Sequence, residues 1–184
     1  MTGLIETLLN ISRLQMGNFI VSPKPANLAE IVDKILGGFS MQVRKKKIVL
    51  KKNYDKNIPK MNLDFQIMEL ILENLISNAI KYTEKGQVEV SAGKKGKNVV
   101  IKIADTGCGI PERQKHLVFT KLFRADNLLK NRTKGYGLGL YIVKSIIQKI
   151  GGKIRFDSEE GKGTTFYVTL PLSGMKRRTQ QNLV

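Results

Sequence analysis

Three short stretches of this 184-residue sequence combine residue types that could do chemistry together. In the first, Glu73-Asn74-Leu75-Ile76-Ser77-Asn78-Ala79-Ile80-Lys81-Tyr82, the apolar residues fall on one side of a helix. At ~100° per residue, Asn78 lies about 40° from Asn74, with Lys81 about 20° to the other side. One strip therefore presents two amides and an ammonium, and Tyr82 stands at its edge. Amide oxygens are hard ligands suited to Mg²⁺, which keeps several waters and takes phosphate oxygens as further ligands. A Lys ammonium is a point charge for a phosphate. A solvated helix face could carry the same residues, but Asn is a mediocre helix former, and two of them mid-helix weigh against that reading.

The second stretch, Ile103-Ala104-Asp105-Thr106-Gly107-Cys108-Gly109-Ile110-Pro111, sets a carboxylate at the end of a strand, followed by two glycines. Glycines permit close approach of the backbone to a flat ligand. A carboxylate only accepts hydrogen bonds, so Asp105 suits the exocyclic amino group of adenine and disfavours the keto oxygen of guanine. Alone, the segment also reads as a plain Asp-Thr-Gly turn. The third stretch, Lys134-Gly135-Tyr136-Gly137-Leu138-Gly139-Leu140, precedes an apolar helix. Free backbone N–H groups and a helix N-terminus there suit a phosphate. Residues 113–134 hold seven cations (Arg113, Lys115, Lys121, Arg124, Lys130, Arg132, Lys134) against one acid, Asp126. That segment reads either as a basic lid beside a polyphosphate, anchored by Phe119, Leu122 and Phe123, or as a solvated loop.

The elements that must hold these stretches follow from periodicity. Residues 1–17 read as a helix, with Leu4, Leu8 and Ile11 on one stripe and Ile5, Leu9 and Met16 beside it. Residues 18–27, with Pro23 and Pro25, read as an extended linker. Asn27 is suited to cap a helix running through Ile31 and Ile35 towards Val43. A strand is expected over 48–54 and a turn at Asn57-Ile58-Pro59. Asn62 or Asp64 then caps a long helix over 65–82, which Gly86 ends. Strands at 87–93 and 98–104 form a hairpin around 94–97. A helix over 138–150 leads into a second hairpin, 153–157 with 164–170. The implied class is α+β: a two-layer α/β sandwich whose mixed sheet of about five strands is covered on one face by three helices. The expected units are residues 1–22, a helix end plus linker; 23–173, the main domain; and 174–184, a basic tail.

Composition narrows the function classes. Lys and Arg number 32 against 15 Asp and Glu, a formal charge of +17, which favours an anionic partner. One Cys and one His leave no disulfide framework and no all-protein zinc site. No apolar run approaches the ~18 residues of a spanning helix, and no secretion signal is visible, so a soluble cytosolic domain is expected. Only 7% of residues are aromatic and they do not interleave with the cations, so base stacking has few platforms. The P-loop pattern, the dinucleotide pattern G-x-G-x-x-G and the eukaryotic protein-kinase motifs are all absent.

Taken together and in order, the segments resemble the ATP-binding domain of bacterial sensor histidine kinases, in the superfamily shared with DNA gyrase, the mismatch-repair ATPase MutL and the large heat-shock chaperones. ENLISNAIKYT resembles the N box, DTGCGIP the G1 box and FTKLFR the F box, while KGYGLGLYIVK resembles the G2 box and GKGTTFYVTLP a terminal strand. LLNISRLQMGNF resembles the end of the second dimerisation helix, so residues 1–22 are expected to belong to it and its linker. The resemblance implies ATP and Mg²⁺ as cofactors. It implies that Asn78 coordinates the metal with Asn74 beside it, Lys81 meets a phosphate, and Tyr82 meets the ribose or adenine edge. It implies that Asp105 accepts from the adenine amino group in a pocket shaped by Gly107 and Gly109, with Thr165 nearby. Arg124 reaches the phosphates from the lid. Gly135, Gly137 and Gly139, with Leu138 and Leu140, form the phosphate-side loop. Asn74, Lys81 and Arg124 are the catalytic expectations.

One position separates branches of that superfamily. Hydrolytic members carry a water-activating Glu four residues before the metal-binding Asn. Here that position is Asn74, and an amide is no carboxylate base. Glu73 is rotated ~100° away. Slow attack by water is therefore expected, with the γ-phosphate kept for a protein nucleophile. The only His, His116, is followed by Leu117 rather than an acid, so it is not the expected phosphoacceptor. The implied partners are a dimerisation domain carrying the acceptor His and a response-regulator receiver domain, in a homodimeric parent; kinases of this kind usually sit at the inner face of the cytoplasmic membrane. No nucleic acid is expected. The competing readings are a gyrase-type hydrolytic ATPase and a basic nucleic-acid-binding domain.

Overall fold

A computed structural model describes residues 20–125 and 137–177. The helix expected over 1–17, the second half of the basic segment and Gly135 lie outside these described residues. In chain order the elements are strand β1 (Lys24–Ala26), helices α1 (Leu28–Gly37) and α2 (Ser40–Lys46), strands β2 (Val49–Tyr54) and β3 (Met61–Leu63), and the long helix α3 (Phe65–Tyr82). Strands β4 (Gln87–Lys95) and β5 (Asn98–Asp105) follow, then a 3₁₀ turn at Glu112–Leu117, helix α4 (Gly139–Lys149) and strands β6 (Lys153–Glu159) and β7 (Gly163–Pro171).

Helix α3 starts where Asp64 accepts hydrogen bonds from the N–H groups of Gln66 and Ile67. Its apolar stripe, including Met68, Ile71, Leu72, Leu75 and Ile76, is fully buried. The strands alternate as their sequences do. Val88 and Val90, Val99, Ile101 and Ile103, and Phe166, Val168 and Leu170 all turn into the core. The five strands run in the order β2-β4-β5-β7-β6; β2 is parallel to β4 and the other pairs are antiparallel. Helices α1, α3 and α4 pack side by side, α3 against β5 and α4 against β6. This is the expected α+β two-layer sandwich with a mixed five-stranded sheet.

Four local expectations need correction. Residues 24–26 are not a linker but strand β1, paired antiparallel with β3 in a separate two-stranded sheet. Three residues are too few to show an alternation, and Pro25 argues against a strand because it has no N–H to give. The helix expected to reach Val43 breaks after Gly37, because Gly37-Gly38 is a poor helical pair; Phe39 turns inward, and α2 begins anew at Ser40. Asn27 does cap α1, accepting from Ala29 N–H. Helix α3 ends at Tyr82, before Gly86, because Thr83 returns both its N–H and its hydroxyl to the Ala79 carbonyl. Gly86, with φ +114, serves the next turn instead. The packed chain also continues past residue 173: Met175 is buried and its N–H bonds to the Asn62 carbonyl at 2.7 Å. At the other end, Ser22 N–H reaches Asp64 Oδ2 at 2.8 Å.

Candidate functional site

A cleft of ≈ 350 Å³ opens between α3, the turn after β5, and the residues that lead into α4. Asn74, Asn78, Lys81 and Tyr82 line it from α3, and Asp105 and Gly109 from the turn. Arg124, Gly137, Leu138, Gly139 and Leu140 line the opposite rim. Of the residues expected in the site, Gly107 and Thr165 do not line the cleft, and Gly135 lies outside the described residues.

Asp105 sits at the inner end. Its Oδ1 accepts from Gly107 N–H at 2.9 Å and from Thr164 N–H at 3.2 Å. Among the described residues nothing bonds to Oδ2. Burial pushes the carboxyl up to about 6, against the opposing pull of those two N–H groups. Gly107 acts through this turn: a Cβ there would stand 2.5 Å from the Tyr82 carbonyl and 2.8 Å from Asp105 Oδ1. Gly163 is equally constrained, since φ is +117 and a Cβ would lie 2.0 Å from the Asp105 carbonyl.

Thr164, rather than Thr165, faces the cleft. Phe166, Val168 and Leu170 fix the inward phase of β7, and period two carries that phase back to Thr164 and turns Thr165 to the other face. Thr164 was not among the expected site residues, although this alternation could have found it. Ser158 spends its one hydroxyl proton on the Gly163 carbonyl, so the 2.9 Å contact between Ser158 and Thr164 has Thr164 as donor. The Thr164 oxygen is left with acceptor lone pairs beside the Asp105 carboxylate. Ile110 and Phe166 add apolar wall. Cys108 also lines the cleft, and burial raises its thiol pKa, which keeps the thiol neutral.

Cations gather further out. Lys81 Nζ lies 3.2 Å from the Tyr82 hydroxyl and 4.8 Å from its ring centre. Burial first, and then the Arg124 guanidinium, lower the Lys81 pKa. Asn74 donates Nδ2 to the Leu70 carbonyl at 2.7 Å. Its Oδ1 abuts Gly139, where a Cβ would stand only 2.4 Å away. The Asn78 side chain makes no hydrogen bond among the described residues, so its amide is available to the cleft. No cluster of three or more His, Cys, Asp or Glu among the described residues could hold a metal. A cation here would rest on amide oxygen, phosphate and water, which is a donor set suited to Mg²⁺. Glu73 is exposed and does not line the cleft, and neither does the exposed His116.

The rim is anchored by rings. Phe119 meets Phe156 edge-on at 5.7 Å and Phe166 at 6.4 Å. Leu122 holds the left-handed φ of 62 and is 70% exposed. Gly137, at φ +68, packs onto the Leu122–Phe123 backbone, where a Cβ would come within 2.6 Å.

The family model described as "Histidine kinase-, DNA gyrase B-, and HSP90-like ATPase" matches residues 64–174. The chain belongs to this family. Its curated relatives are sensor kinases. An uncharacterized sensor-like histidine kinase of Rhizobium meliloti is 31% identical over 170 residues, covering 92% of this chain and 32% of the relative. The signal transduction histidine-protein kinase BarA of Escherichia coli is 30% identical over 176 residues, 92% of this chain and 19% of its own length. The chain thus spans a third or less of these two relatives. Among solved structures, the catalytic domain of histidine kinase ThkA superposes with a TM-score of 0.71 at 28% identity, over 82% of this chain and 95% of that one. Full-length ShkA in complex with AMPPNP shares the fold, with a TM-score of 0.82 at 24% identity over 95% of this chain and 36% of its own. The ATPase family and the kinase relatives support an ATP-binding role of the two-component kind. Among the described residues no helix is long and apolar enough to cross a membrane.

Proposed function

We propose that this chain binds Mg-ATP in the cleft and holds the γ-phosphate for a histidine on a separate dimerisation domain, within a two-component sensor kinase. The observation that carries the reading is Asp105: a half-buried carboxylate with one oxygen committed to backbone N–H groups and the other open to a cleft whose far side is cationic. An amino group satisfies that oxygen, whereas a keto group would leave it facing another acceptor. Adenine therefore lies against Asp105 and Thr164, and the phosphates run towards Lys81, Arg124 and the Gly137–Leu140 stretch. Tyr82 lies beside the nucleoside. Gly107 shapes the base pocket from behind, and Gly135 belongs with the phosphate-side loop. Asn78, with Asn74 beside it, would hold Mg²⁺, which when bound neutralises phosphate charge.

The reaction class follows from what the cleft lacks. Asn74 occupies the place of a water-activating carboxylate, and its Nδ2 is spent on the helix backbone. Glu73 faces away. Water is thus left without a carboxylate base on the phosphate side of the cleft, Asp105 being taken up by the base, and a histidine nitrogen supplied by a partner domain attacks the γ-phosphorus. An N–P bond forms as the bond to the β-phosphate oxygen breaks, and ADP leaves. The cleft contributes positioning and charge neutralisation, which phosphoryl transfer chiefly requires. In this reading residues 1–22 are the end of the dimerisation helix with its linker, and the ATP-binding domain runs from residue 23 past the expected boundary at 173 to include the packed Gly174 and Met175, before a basic tail that ends at 184. The parent is a cytoplasmic homodimer or is held at the membrane, and a receiver domain takes the phosphate onward. Nucleic acid has no part in it.

The test mixes the chain with γ-labelled ATP and a separately made dimerisation domain that carries an acceptor His. Label on that His only when both proteins are present supports the proposal. Rapid phosphate release by the chain alone would instead support the hydrolytic branch.

A further inference from the structure

The last turn of α3, which offers Lys81 and Tyr82 to the cleft, is held from behind by a residue outside every motif considered so far. Lys46 ends α2, and its Nζ donates to the carbonyls of Ile80 at 2.7 Å, Lys81 at 2.7 Å and Thr83 at 3.0 Å. An ammonium has three N–H donors and no acceptor, so a single helix end takes all three. The final carbonyls of a helix have no partner within it and carry the negative end of its dipole. No left-handed glycine closes α3: Thr83 is extended at φ −94 and ψ 114, and its own donors go back to Ala79. The carbonyls of Ile80, Lys81 and Thr83 are bonded by Lys46 instead.

This turn also braces the base pocket. The Tyr82 carbonyl accepts from Cys108 N–H at 3.3 Å, and Gly107 is packed against the same carbonyl. The three carbonyls that Lys46 gathers flank the one on which the Asp105–Cys108 turn rests. The neighbouring cations differ: Arg44, Lys45 and Lys47 are exposed, and only Lys46 reaches inward.

We infer that Lys46 is a positioning residue for nucleotide binding, fixing the end of α3 so that Lys81, Tyr82 and the Asp105 turn keep their mutual geometry. The inference rests on the ATP-binding reading. It is tested by calorimetric titration of the whole chain with Mg-ATP, for the wild type, Lys46→Met, Lys46→Arg and Lys45→Met, at a temperature where each is folded. Amide spectra of Tyr82, Thr83 and Cys108 are recorded in parallel.

Lys46→Met should bind about tenfold more weakly and shift all three amides, because charged hydrogen bonds to a buried turn are lost. Lys46→Arg should recover affinity to within about threefold, since a guanidinium can still reach two or more carbonyls. Lys45→Met should match the wild type. A folded Lys46→Met that binds within about twofold of the wild type overturns the inference, whatever its melting temperature. If Lys46→Met does not fold, Lys46→Gln, whose shorter and uncharged amide cannot supply all three of these bonds, carries the same comparison and the same threshold. A wild-type chain that binds no Mg-ATP overturns the ATP-binding reading and this inference with it. Normal wild-type binding with an unaffected Lys46 variant overturns this inference alone.

Discussion

The two walls of the cleft are built differently. The inner wall stands on regular elements: α3 supplies Asn74, Asn78, Lys81 and Tyr82, and the end of β5 supplies Asp105, tied to β7 through Thr164 N–H. The outer rim, from Phe119 to Arg124 and from Gly137 to the first turn of α4 at Gly139 and Leu140, is mostly irregular chain held by a ring cluster, a left-handed Leu122 and a glycine contact. In the proposed reading, regular backbone carries base recognition, and the less regular rim shares the phosphates with Lys81 of α3. Discrimination needs fixed acceptors, since a hydrogen bond mis-set by a fraction of an ångström loses its selectivity. Charge attraction falls off gently with distance and tolerates a looser wall.

Substitutions can break this contrast. The largest effect is expected from Asp105→Asn, which puts an N–H donor at or beside the open acceptor. Mg-ATP affinity should fall by at least about a hundredfold in calorimetry, with the fold intact. Next, Gly163→Ala strikes the inner wall, because its Cβ would meet the Asp105 carbonyl at 2.0 Å. It should cost about 2–4 kcal/mol in denaturant unfolding. The matching rim change, Gly137→Ala, should cost less stability than Gly163→Ala and show mainly as weaker ATP binding. Equal losses of stability would mean that the two walls are equally rigid.

Acid sharpens the same comparison. With the Asp105 carboxyl near 6, lowering the pH through 6 protonates it, and by pH 5 the ionised fraction is about a tenth. ATP affinity should fall by up to about tenfold between pH 7 and pH 5, and Asp105→Asn should lack that dependence. The stability sign is opposite. A carboxyl whose folded pKa is raised stabilises the free protein most below its unfolded value of 3.8, and that contribution is lost as the pH rises through 6. The smallest effect belongs to the rim. Leu122→Asn, at a φ of 62 in solvent, should raise stability by about 0.5–1 kcal/mol in urea unfolding, because Asn tolerates the left-handed region.

The inner wall was also the more legible in sequence. A 3.6 period phased α3 correctly from Phe65 to Tyr82, and Asp105 stood out at a strand end before glycines. The resemblance points to Thr165, whereas the alternation of Phe166, Val168 and Leu170 turns its neighbour Thr164 to the cleft. Strand β1 escaped because three residues with a central Pro carry no period. The break at Gly37-Gly38 was overrun by the apolar pattern that continues to Val43. Lys46 could not be read at all. Its bonds span 34 to 37 residues of sequence, and in the linear chain it is one cation in a run of four.

The corner where β3 enters α3 has a mechanical consequence. Ser22 is tied there to Asp64, and Gly174 and Met175 to Asn62, while Tyr82 lies at the far end of the 18-residue helix. That helix is about 27 Å long. Residues 22 and 175 thus meet the domain at the end of α3 opposite Tyr82. A pivot of ten degrees at that corner would carry the far end of α3, with Lys81 and Tyr82, through an arc of about 5 Å.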